Sequence, residues 1–190
     1  LVTAHGKGDP AAWTIAIPGQ YTTAALLLRL LLPRHCQTVV LRFDQIIEAV
    51  TAGQVDAGVI IHESRFTYQE RGLHCVQDLG AWWEQETSLP LPLGCIAARK
   101  SLPPVAVREI EQAIAASIRW ADTHRDECMT YIRQYAQEMD EAVLARHISL
   151  YVNDFSLRLG EEGRAAVHEL LRRGREANLF PLSQPSNHHA

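Results

Sequence analysis

Between Thr14 and Ile61 the chain alternates between two kinds of local chemistry, and that alternation restricts its fold more than any other feature. "TIAI" (14–17), "TVVLRF" (38–43) and "DAGVII" (56–61) are short runs of strand-forming residues. Between the first two lies "TTAALLLRLLL", rich in helix formers and headed by Thr22 and Thr23, either of which can cap its first turn. Between the second and third lies "QIIEAVTAG", with Asp44 placed to cap it and Gly53 to close it. Connections this short predict parallel strands joined by helical crossovers, a βαβαβ unit of an α/β fold.

Beyond Ile61 the regularity falls away. "SRFTYQERG" reads as a helical turn or two, "LHCVQDL" as an edge strand, and "GAWWEQET" as a short helix. In "LPLPLGCIAARK" the two prolines bar a central strand at the start, but "GCIAAR" can pair. From Val105 onward the pattern is helical almost throughout, beginning with an apolar stripe at Ile110, Ile114, Ile118 and Ala121. "DECMTYIRQYAQ", "EAVLARHISLYVNDFSLRLG" and "EEGRAAVHELLRRGREANL" continue it. The last of these is acidic at its start and basic at its end, as the helix dipole favours.

Composition narrows the function classes. The net charge is -4, and the 18 Lys and Arg residues are scattered, so there is no electrostatic footprint for nucleic acid. The longest apolar run, "TAALLLRLLLP", is broken by Arg29 and is far short of the roughly 20 residues that span a bilayer. Cys36, Cys75, Cys95 and Cys128 form no CxxC pair, which points to reduced thiols in a cytoplasmic protein and not to zinc or a disulfide framework. No basic-then-apolar leader precedes the first turn, and "HGKGDPAAW" reads as a connection between two parts. "SQPSNHHA" reads as a frayed end.

The candidates for chemistry begin with His62, which directly follows the third strand. Ligands of open α/β sheets bind beyond the carboxyl ends of the strands, so topology aims this imidazole at a cleft. Its ordinary pKa suits proton exchange near neutrality. The plain alternative is a structural histidine at a strand end. Glu63 could orient His62 or pair with Arg65, and Arg65 could instead clamp a ligand carboxylate. In "PGQYTTA", Gly19 permits a tight turn, and the free N–H groups of the next helix, with the Thr22 and Thr23 hydroxyls, form an anion site. Ordinary capping explains the same threonines. The stretch is neither a Walker loop nor GxGxxG.

Of Trp82 and Trp83, which diverge by about 100° on a helix, one at most would face a ligand and the other the core. His147, Tyr151 and Asn153 read as a packed polar seam. There is no HExxH, GxSxG or Cys-centred nucleophile pattern.

Four blocks in the same order, "IPGQYTTA", "QVDAGVIIHESRFTY", "DLGAWWEQETSLPLPLG" and "YVNDFSLRLGEEG", resemble the 1,4-dihydroxy-6-naphthoate synthase family of the futalosine route to menaquinone. The resemblance implies a fold like the type II periplasmic binding proteins, two α/β lobes flanking a cleft. It implies a carbon–carbon lyase that takes cyclic dehypoxanthine futalosine to 1,4-dihydroxy-6-naphthoate, releasing a sugar-derived three-carbon fragment without redox chemistry or metal. His62 maps onto the family's general base. Thr23 maps onto a pocket threonine, with Thr22 beside it, and Gly19 and Arg65 complete the expected substrate contacts.

The family's opening segment, an "SPCPND"-like stretch, has no counterpart here. The expected organisation is therefore residues 1–12 as an inter-lobe connection, 13–118 as the second lobe, and 119–190 as helices completing a first lobe whose sheet is absent. Such a chain alone is expected to be inactive. Two other functions share the architecture: non-catalytic solute binding, and the sister chorismate dehydratase.

Overall fold

The computed structural model describes residues 1–4, 8–32, 37–61, 64–136 and 140–180. Five strands, β1 (Val2–Thr3), β2 (Thr14–Ile17), β3 (Gln37–Val40), β4 (Ala57–Gly58) and β5 (His74–Cys75), form one mixed sheet in the order β3-β2-β4-β1-β5. β2 runs parallel to both β3 and β4, with Ile15 opposite Thr38 on one side and Ala57 on the other. This is the expected βαβαβ unit. β1 adds to it antiparallel, between β4 and β5.

Side-chain alternation divides the core into two layers. Ile15, Ile17, Ala57 and Val59 point to one face, where they meet Ala25, Leu27 and Leu28 of α1 (Thr23–Leu31) and Leu79 and Trp83 of α4 (Leu79–Thr87). Ala16 and Val2 point to the other, against Ile46, Ala49 and Val50 of α2 (Ile46–Thr51). The two crossover helices thus lie on opposite faces. Gly58 lets α2 close on the sheet, because a Cβ there would lie 2.3 Å from the Ile46 Cγ2.

Several details differ from expectation. Asp44 does not cap α2, because Arg42 takes both its oxygens at 3.2 and 2.8 Å. A 3-10 turn over Phe43–Gln45 moves the helix start to Ile46. The second and third strands are shorter than their apolar runs, and "GCIAAR" joins no ladder among the described residues. "SRFTYQERG" is α3 (Ser64–Thr67) followed by a 3-10 turn, Tyr68–Arg71.

The C-terminal part is α5 (Pro104–Thr123), α6 (Arg125–Tyr135), α7 (Glu141–Tyr151), α8 (Asp154–Leu157) and α9 (Gly160–Glu176). Asn153 interrupts the longest helical run by capping α8, its side chain accepting from the Phe155 N–H while Ser156 reaches back. No residue of α5 or α6 is buried. α9, in contrast, sends Leu170 into the α1/α4 layer. No described helix is long and apolar enough to cross a membrane.

Candidate functional site

The strand order fixes where a ligand could enter. From β2 the chain crosses to β3 on one side, then back past β2 to β4 on the other, so the crossover direction reverses between β2 and β4. In open sheets this reversal opens a crevice at the carboxyl ends of the two strands. The segments leaving those ends are "PGQYTT" and "IIHESR".

On the β2 side, Gly19 packs closely under the turn, its missing Cβ 3.1 Å from the Thr22 methyl. Thr22 is the N-cap of α1: its hydroxyl accepts from the Ala25 N–H at 3.2 Å and donates to the Gly19 carbonyl at 2.9 Å. The Thr23 hydroxyl donates to the Leu93 carbonyl at 3.2 Å. Both hydroxyl protons are therefore engaged with protein carbonyls. The backbone N–H groups of Thr23 and Ala24, first-turn positions without intrahelical acceptors, remain available to an anion or hydroxyl.

On the β4 side, His62 and Glu63 lie outside the described residues. Immediately after them, Arg65 pairs with Asp78, Nη2 to Oδ2 at 3.3 Å. The other oxygen of Asp78 caps α4 through the Gly80 and Ala81 N–H groups at 2.9 and 3.1 Å. Arg65 also lies over the Phe66 ring, 5.6 Å from its centroid, and Arg146 of α7 reaches the same ring at 5.1 Å. α3 is thereby tied to α4 and to α7. A helix of one turn needs such ties, since its backbone alone does not stabilise it.

The loop after α4 connects these parts. Trp83 is fully buried and donates its indole N–H to the Pro90 carbonyl at 3.2 Å, three residues before the Leu93 carbonyl that holds Thr23. Trp83 is thus the core tryptophan, and Trp82 packs half-buried against the same layer. The His147 and Tyr151 rings lie 4.6 Å apart and tilted by 34°, as their spacing predicts, whereas Asn153 leaves that seam to cap α8. Among the described residues no group of three or more His, Cys, Asp or Glu side chains could hold a metal ion.

Three contributors were missed in the sequence: Asp78, the Leu93 carbonyl and Arg146. Asp78 carried a signal, being a capping residue just ahead of "LGAWW". Its pairing with Arg65, 13 residues away, had none.

Residues 1–176 match the model of a family described as menaquinone biosynthesis. A protein named 1,4-dihydroxy-6-naphtoate synthase from Thermus thermophilus is 46% identical over 172 residues, covering 90% of this chain and 62% of the relative. One of the same name from Streptomyces coelicolor is 43% identical over 190 residues, covering 97% and 67%. A crystal structure of a protein from Archaeoglobus fulgidus superposes with a TM-score of 0.86 at 37% identity, over 94% of this chain and 67% of that one. The chain spans 62% of the length of the Thermus relative.

Proposed function

The chain belongs to the menaquinone biosynthesis family, and from that premise we propose that it carries the histidine-bearing part of a carbon–carbon lyase acting on cyclic dehypoxanthine futalosine. The product is 1,4-dihydroxy-6-naphthoate. His62 serves as general base, taking a proton from the substrate so that the electron pair left behind drives cleavage of the carbon–carbon bond as the carbocycle becomes aromatic. The N–H groups of Thr23 and Ala24 hold a carboxylate or hydroxyl of the substrate. Thr22 and Gly19 shape that helix start, and Arg65 stiffens the segment after His62 while remaining a candidate substrate contact.

One observation supports the reading above all: the reversal of crossover direction between β2 and β4, which in open sheets opens a crevice at the carboxyl ends of those strands, where the threonine turn follows β2 and His62 follows β4 in the sequence. The architecture we propose is the two-lobed one of the type II periplasmic binding proteins. Residues 13–118 are its second lobe and the helices from 119 onward complete the first, with Leu170 of α9 reaching the α1/α4 layer. Closure of such lobes would keep bulk water from the intermediate.

The test is His62→Ala, assayed for 1,4-dihydroxy-6-naphthoate in the chain alone and in the chain completed with the third of the Streptomyces relative that it does not span. Product formation falls at least about 100-fold in whichever preparation turns over, the lower range for a positioned base. Near-normal turnover removes His62 from the mechanism. Absence of product from both unsubstituted preparations refutes the reaction.

A further inference from the structure

Phe66 stands outside the core. It is half-buried and belongs to neither of the two apolar layers, whereas Tyr68, two residues on, packs against the α2 layer. Charge lies against its ring instead. The Arg65 guanidinium is 5.6 Å from the ring centroid and that of Arg146 is 5.1 Å, both inside the roughly 6 Å over which the ring quadrupole holds a cation.

The two arginines are not equivalent. Arg65 belongs to α3 itself and is already bound to Asp78, which ties α3 to the start of α4. Arg146 comes from α7, far along the chain. Its Nε donates to the Ala142 carbonyl of its own helix at 3.4 Å, and among the described residues it has no carboxylate partner. It therefore keeps its full charge for the ring. α3 is a single turn, too short to hold itself, and begins two residues after His62 in the sequence. A link that short has little slack, so where α3 begins limits where His62 can stand.

We propose that Phe66 is a positioning residue for the proton transfer and that Arg146 is the cation from α7 that holds it: the pair sets α3, and α3 sets His62. The inference rests on the lyase reading above and adds to that site two residues that do not touch the substrate. Its signature is a change in rate and not in affinity, because the anion is held elsewhere, at the start of α1. Misplacing a reacting group by about 1 Å costs up to about 100-fold.

The experiment places phenylalanine carrying one, two or three ring fluorines at position 66, in the chain completed with the unmatched third of the Streptomyces relative. Fluorine withdraws charge from the ring face and nearly preserves its shape, so a mere packing role does not respond to the series. The expected result is a stepwise fall in kcat, at least about 10-fold in total, at constant KM. Phe66→Leu equals the trifluorinated ring, and Phe66→Tyr stays near the unsubstituted rate. Arg146→Ala lowers kcat as far, while Arg146→Lys, which keeps a cation over the ring, stays within about 2-fold. Separately from turnover, the fluorine NMR resonance of a single 4-fluoro ring at position 66 of the 190-residue chain moves when Arg146→Ala is introduced. A kcat indifferent to fluorination overturns the inference, as does an equal loss in Arg146→Lys and Arg146→Ala, or an unmoved fluorine resonance. Absence of product from the unsubstituted completed chain instead refutes the lyase reading and takes the positioning role with it, while the resonance still decides whether Arg146 grips the ring.

Discussion

Replacing Trp83 with Phe tests whether one buried side chain holds both the α1/α4 layer and the loop at the threonine turn. Trp83 has no exposed surface, donates to the Pro90 carbonyl at 3.2 Å, and has the Arg173 guanidinium 5.5 Å from its ring centroid. Phenylalanine keeps an aromatic ring but loses the indole N–H, worth about 1 kcal/mol net. It also loses roughly two buried carbons at ~0.8 kcal/mol each. The expected loss is therefore about 2.6 kcal/mol, or roughly 5–10 °C in melting temperature for a chain of this size. Trp83→Ala costs about 3–5 kcal/mol, a large share of the total stability of a typical domain. The assay is urea unfolding, in which the midpoint falls at constant slope. A double-mutant cycle with Arg173→Ala yields a coupling of about 0.5–1 kcal/mol for the cation–π contact. A loss below about 1 kcal/mol for Trp83→Phe, at unchanged slope, would show that neither the hydrogen bond nor the packing of the pyrrole edge matters, and the reasoning fails.

Gly58→Ala drives a methyl to within 2.3 Å of the Ile46 Cγ2 and 3.1 Å of the Val50 Cγ2, and is expected to cost about 1–3 kcal/mol by overpacking. Ile46→Ala in the same chain removes the clashing methyl, so the pair destabilises by less than the sum of its parts; strict additivity in urea unfolding counts against the close approach of α2. Glu169 accepts from Arg172 and Arg173 on α9, and those hydrogen bonds hold its carboxyl down to about 2. Its folded pKa being the lower one, the stabilisation is complete above about pH 4.5 and lost as pH falls from there towards 2. Glu169→Gln therefore lowers the melting temperature near pH 7 by about 2 °C, a surface-pair magnitude, and by nothing measurable near pH 2. An equal deficit at both pH values would rule out the ion pairs as its source.

How much of this was legible in the sequence follows from the range over which each feature is determined. The βαβαβ unit was readable because each strand and each crossover helix carries its own period within about ten residues, and Thr22 because a cap acts within one turn. Asp44 misled because Arg42, two residues away, offered its carboxylate a bidentate partner in place of the helix start. Val2–Thr3 has no strand signature, being two residues whose pairing depends on β4 and β5 arriving beside them. "GCIAAR" has strand chemistry and no strand partner among the described residues, which propensity cannot reveal because it describes fit to a pleated surface and not the presence of one. For Arg65 the local choice was Glu63 or a ligand, and the partner present is Asp78, whose own position depends on where α4 begins.

That last pairing changes what the candidate site asks of its parts. A guanidinium bound to Asp78 and laid on Phe66 is partly neutralised and held in place, so it contributes less to capturing a carboxylate than a free arginine would. The threonines shift in the same direction: with the Thr22 proton on the Gly19 carbonyl and the Thr23 proton on the Leu93 carbonyl, neither hydroxyl can donate to an anion without surrendering an existing bond. Among the described residues, the first-turn N–H groups of Thr23 and Ala24 are left uncommitted, and they cannot be removed by side-chain substitution. Thr23→Val should accordingly release the Leu93 carbonyl and loosen the loop anchored by Trp83, yet leave anion capture at the start of α1 in place. Thr22→Ala should act through the helix itself, at the ~1 kcal/mol typical of a lost cap. The two threonines, adjacent and chemically alike, thus do separate work, one fastening the loop after α4 and the other starting α1.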